Sequence, residues 1–106
     1  NKVDISRIHN TNTITMDDFI DRFCSKLNLS SEDVITIKHI SYLCQVYNLV
    51  NDNTPPSMAA GCIFLYIKEA GLDINKKTIA DVSKISEVTI NKCFKKLETQ
   101  STRLLV

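Results

Sequence analysis

Apolar residues recur along this chain at three- and four-residue steps, and in one central stretch they run almost unbroken, a pattern that predicts an all-α fold. Phe19, Ile20, Phe23, Cys24 and Leu27 mark the buried face of a first helix. Thr15 is placed as its N-cap, and Asp17 and Asp18 fall in the first turn, where the helix dipole favours carboxylates. Ile14 can staple onto Phe19 across that cap. Ser30-Ser31-Glu32-Asp33 opens a second helix, whose Val34, Ile37, Ile40, Cys44 and Tyr47 follow one stripe up to about Leu49. After a turn at Asn51-Asp52-Asn53, Thr54 caps a third helix in which Pro55 gives up only a donor that has no helical partner there. That helix is apolar all round. Ala59, Ala60 and Gly61 keep it slim, so it is expected to be enclosed and closely approached by its neighbours until Gly71 stops it.

From Asn75 to Lys96 the pattern changes to two short helices joined by a tight turn. Ile79, Val82 and Ile85 give the first helix and the turn an inward face, and Ile90, Phe94 and Leu97 do the same for the second. On the opposite side Val88, Asn91, Lys92 and Lys95 fall at i, i+3, i+4 and i+7. One face of the last helix thus offers a small apolar residue, an amide and two cations, which suits a DNA major groove. A solvated helix face can also carry such a lysine row.

Charge sharpens this picture. The whole chain carries only +1, so affinity for nucleic acid has to come from where the charges sit. Lys76, Lys77, Lys84, Lys92, Lys95 and Lys96 stand against Asp81, Glu87 and Glu98 between positions 76 and 98, six positive minus three negative or +3, which leaves −2 for the rest. Met58 to Ile67, the longest apolar run, is about half of what a bilayer requires, so no membrane span is expected. The first residues show no basic segment followed by an apolar one, so no signal peptide is visible, and the sequence reads as a fragment of something longer. Asn1 to Thr13 lacks periodicity and reads as a linker or inter-repeat segment, and residues 101–106 as a tail.

Little in the sequence suggests catalysis. Cys24, Cys44, Cys62 and Cys93 are widely spaced and lie in apolar stretches, as core residues do, with no pairing typical of zinc. His9 and His39 have no second ligand nearby, the carboxylate pairs occupy helix first turns, and Ser25, Ser57 and Ser86 lack a recognisable base. No enzyme activity, metal or cofactor is expected.

The run Thr54-Pro55-Pro56-Ser57-Met58-Ala59-Ala60-Gly61-Cys62-Ile63-Phe64-Leu65-Tyr66, followed at a distance by Ser86-Glu87-Val88-Thr89-Ile90, resembles the second cyclin-like repeat of the general transcription factor IIB family. Ile14-Thr15-Met16-Asp17-Asp18-Phe19, Arg22-Phe23-Cys24-Ser25, Leu27 and Leu29 resemble the first helix of that repeat. The resemblance covers roughly residues 14–98. It implies a five-helix cyclin-like repeat over 14–100 that ends in a helix-turn-helix at about 75–98, and a nuclear factor that binds promoter DNA beside the TATA box with TATA-binding protein. RNA polymerase would be recruited through parts of the full-length protein outside this chain. Carried over position by position, Val88 and Asn91 face the bases, while Thr89, Lys92 and Lys95 are placed for phosphate or base-edge contact. Asn91 stands where the family often has arginine, and asparagine suits adenine or a phosphate oxygen rather than guanine, so an A/T-tolerant site is expected. Lys84 stands where a glycine is common in the turn, so either the turn loosens or Lys84 itself faces the DNA backbone. The alternatives are the RNA polymerase III or archaeal relative of this family, and a cyclin-box module that binds only protein.

Overall fold

The computed structural model describes residues 16–46 and 54–100. Helix α1 occupies 16–27, α2 Ser31–Val46, α3 Pro55–Ala70, α4 Lys76–Ser83 and α5 Glu87–Glu98. The expected all-α architecture holds among these residues. Thr15 and the Ile14 staple, Tyr47, Leu49 and the Asn51-Asp52-Asn53 turn lie outside the described residues.

Several helix ends have a local chemical cause. At the start of α2 the backbone N–H of Ser30 donates to Asp33 Oδ2 and the N–H of Asp33 donates to Ser30 Oγ, both at 3.1 Å, which satisfies two donors that the first turn leaves unpaired. This accounts for Asp33 as a capping residue. Just past α3, Gly71 takes the left-handed conformation, φ 72°, and Leu72 N–H returns to Ile67 O at 3.0 Å. Thr54 occupies the N-cap position, but its hydroxyl pairs with Ser57 Oγ at 2.9 Å instead of accepting from the helix backbone.

The core forms around α3, where residues 57–65 and Ile67 are all buried. Enclosure ends there: Lys68, Glu69 and Ala70 are exposed, so the last turn is not apolar all round as the sequence suggested. Helix α5 packs most extensively against α3, followed by α2 and α4. Gly61 permits a close approach, because a Cβ placed there would lie 2.7 Å from Cys93 Cβ on α5. Helix α1 contributes Met16, Ile20, Phe23 and Cys24, whereas Phe19 and Leu27, expected inside, are half-buried at the margin. Polar links also tie elements together: among them, Lys38 on α2 reaches Asp21 on α1 at 2.9 Å, and the phenol of Tyr66 on α3 donates to Asp33 on α2. No helix among the described residues is long and apolar enough to cross a membrane.

Candidate nucleic-acid interface

The angle between α4 and α5 is held by a short chain of caps. Asn75 Oδ1 accepts from Thr78 N–H at 2.8 Å and starts α4, and Ser86 Oγ accepts from Thr89 N–H at 3.2 Å and starts α5. Between them Ser83 Oγ donates to Ile79 O at 2.7 Å and accepts from Ile85 N–H at 3.2 Å. Lys84 closes the turn in the left-handed region, φ 63° and ψ 25°, with its N–H on Ala80 O at 2.8 Å. The turn therefore does not loosen around the lysine. It keeps the glycine-like backbone and turns a cation outwards.

Ile90, Cys93, Phe94 and Leu97 face the core from α5, and Ile79 and Ser83 from α4. The opposite side of α5 is open: Val88 is 68% exposed, and Lys92 and Lys95 are exposed one and two turns on. Among the described residues Lys84, Lys92 and Lys95 make no ion pair, so these three cations are uncommitted. Lys77, by contrast, leans towards Asp81 at 3.7 Å.

Two of the expected residues are less open. Thr89 is half-buried and engaged in the cap, accepting from Ser86 Oγ at 3.0 Å. Asn91 is half-buried at the border of the outer face, where its Oδ1 accepts from Lys76 Nζ at 3.4 Å. Lys76 was counted in the sequence only as charge. It lies fifteen residues from Asn91 on another helix, and no periodicity along one helix reveals such a pair. The same ammonium stands 5.7 Å from the centroid of Phe64, while Lys68 lies over both Phe64 and Phe94 at 5.8 and 5.5 Å. Phe64 and Phe94 meet edge to face at 4.8 Å, so an aromatic pair joins α3 to α5 beneath two cations.

These groups can donate hydrogen bonds and attract anions. The four cysteines are buried free thiols, as the core reading required. Burial pushes Cys24 up to about 12 and Cys93 upward, while the Cys44 hydrogen bond and burial raise Cys62, so these three are protonated at neutral pH and poor nucleophiles. His39 is exposed on α2. Among the described residues no cluster of His, Cys, Asp or Glu has the makings of a metal site.

The model for the transcription factor TFIIB repeat matches residues 9–100. The chain belongs to the transcription factor TFIIB repeat family. This TFIIB repeat is 32% identical over 104 residues to transcription initiation factor IIB of Dictyostelium discoideum, an alignment that covers 98% of the chain and 32% of the relative. Transcription initiation factor IIB of Xenopus laevis is 30% identical over 86 residues, covering 81% of the chain and 27% of the relative. The Homo sapiens protein of the same name is 30% identical over 82 residues, with 77% of the chain and 26% of the relative covered. The TFIIB repeat thus spans about a third or less of the length of these relatives. Their names describe transcription initiation factors.

Proposed function

We propose that this repeat binds promoter DNA next to the TATA box in company with TATA-binding protein, with the outer face of α5 in the major groove. The observation that carries the reading is the exposed set Val88, Lys92 and Lys95 on a helix fixed by the Lys84 turn, in a chain of this family. Lys84, Lys92 and Lys95 contact phosphates, Thr89 stays close to the helix start where a phosphate is drawn, and Val88 and Asn91 approach base edges. RNA polymerase is engaged by the remainder of the longer protein, and the site of action is the nucleus.

An electrophoretic shift on a TATA promoter, with and without TATA-binding protein, tests this. A slower complex that forms only when both proteins are present, and that fades as salt rises, is the expected result. A cyclin-box module that binds only protein is favoured by one observation, the exposed Ile35, Tyr42 and Val46 on one stripe of α2. That reading predicts no shift dependent on the repeat at any salt.

A further inference from the structure

Lys76 is the first residue of α4, yet its ammonium works on α5. Nζ donates to Asn91 Oδ1 at 3.4 Å and is steadied 5.7 Å above the Phe64 ring, so two interactions on two different helices fix its position. An ammonium only donates, so the Asn91 atom it meets has to be the carbonyl oxygen, whichever way the amide is drawn.

This changes what Asn91 offers. Asparagine reads adenine with both ends of its amide: the carbonyl accepts from N6 and the NH₂ donates to N7. With Lys76 on one of the carbonyl's two lone pairs, adenine N6 could reach the other only by bringing its amino group against an ammonium, whereas the NH₂ end stays open and beside it stand the spare protons of Lys76. We propose that Lys76 is a specificity-determining residue, converting Asn91 from a donor–acceptor reader of adenine into half of a donor-only pair that selects the adjacent O6 and N7 acceptors of guanine. Adenine presents its N6 donor where guanine has O6, so it sets donor against donor. The adenine expectation drawn from Asn91 alone assumed a free carbonyl. The inference rests on the reading of α5 as the DNA-facing helix.

The test is a selection from TATA promoter duplexes randomised upstream, with TATA-binding protein present, using the wild-type chain and Lys76→Met. Methionine keeps an unbranched stem over Phe64 and removes every donor. Wild type should favour guanine over adenine at one position by about tenfold. Lys76→Met, with the ammonium gone from the Asn91 carbonyl, should favour adenine at that same position. Independently of how the variant folds, placing 7-deazaguanine there should weaken wild-type binding several-fold, because it lacks the N7 acceptor. An unchanged base preference in a Lys76→Met protein of wild-type melting temperature overturns the inference, as does a wild-type preference for adenine. A loss spread evenly over all sequences also overturns it, since that is the signature of a phosphate contact. Wild-type chain that shifts no duplex removes the DNA reading and the inference together, whereas binding with no change of preference removes only the role of Lys76.

Discussion

At position 84 the backbone and the side chain pull in opposite directions. A φ of 63° disfavours any residue with a Cβ, by about 1–2 kcal/mol, and glycine would recover this less the roughly 0.5–1 kcal/mol of extra backbone entropy it loses on folding. Lys84→Gly should therefore raise stability by about 0.5–1 kcal/mol, visible as a higher melting temperature. If Lys84 meets a phosphate, the same variant binds DNA more weakly with a shallower salt dependence, and an unchanged salt slope would exclude that contact. Lys92 and Lys95, exposed and unpaired among the described residues, give a parallel test. Replacing either with Ala should weaken binding to all sequences alike and lower the salt slope by about one, and identical slopes in folded proteins would make the lysines merely solubilising. Much at this scale was legible. Spacing within one helix places Val88, Lys92 and Lys95 on a single face because the helical period is fixed. The Lys76–Asn91 bond was not legible, since it depends on how two helices cross.

Between elements, α3 meets α5 closely at Gly61, where any Cβ would fall 2.7 Å from Cys93 Cβ. Small residues in an apolar run already implied this closeness, but not which helix supplied the neighbour. Gly61→Leu should destabilise by about 1–3 kcal/mol through overpacking, and a melting temperature that does not fall would remove the close-packing account. The bond between Tyr66 and Asp33 links α3 to α2 with a charge-dependent strength. Its acceptor is a carboxylate held below the usual range first by Tyr66 and then by the Ser30 backbone, and its donor a phenol pushed up to about 12 chiefly by Asp33. The depressed carboxylate contributes stability above its unfolded pKa, about 4, and loses it as pH falls through the folded value. The raised phenol contributes fully below its unfolded pKa, about 10, and loses it as pH rises towards 12. Tyr66→Phe should thus cost about 1 kcal/mol, the low end for a bond to a charged group because solvent reaches both partners. In denaturant titrations the gap from wild type should stay flat between about pH 5 and 9 and close on either side. A gap that persists in acid would mean that the ring packs and the hydroxyl contributes nothing. Nothing in the sequence paired these residues: Asp33 reads as a first-turn carboxylate and Tyr66 as one member of an apolar run.

Over the whole molecule, a net charge of +1 with +3 gathered between positions 76 and 98 and −2 elsewhere sets a ceiling on what this repeat achieves alone. Uncommitted cations at 84, 92 and 95 can neutralise only a few phosphates, and counterion release from so few contacts supplies little more than non-specific affinity. That asymmetry was readable from the sequence, because it depends on which residues are near one another along the chain. The cap-by-cap construction of the turn that presents them was only partly readable: Ser86 and Asn75 are ordinary cap residues, but Ser83 bonding both Ile79 and Ile85 emerges only when the turn is formed. The consequence is a prediction about partnership. By itself the chain should bind a TATA promoter with Kd on the order of 10⁻⁵ M or weaker at physiological salt. If TATA-binding protein holds the repeat against the upstream DNA, the second contact becomes effectively intramolecular and apparent affinity should rise by about 10²–10⁴. Fluorescence anisotropy of a labelled promoter, titrated with the chain in the absence and presence of saturating TATA-binding protein, measures both numbers. Nanomolar binding by the chain alone would show that its own surface suffices, and equal affinities in the two titrations would show that the partner does not hold it there.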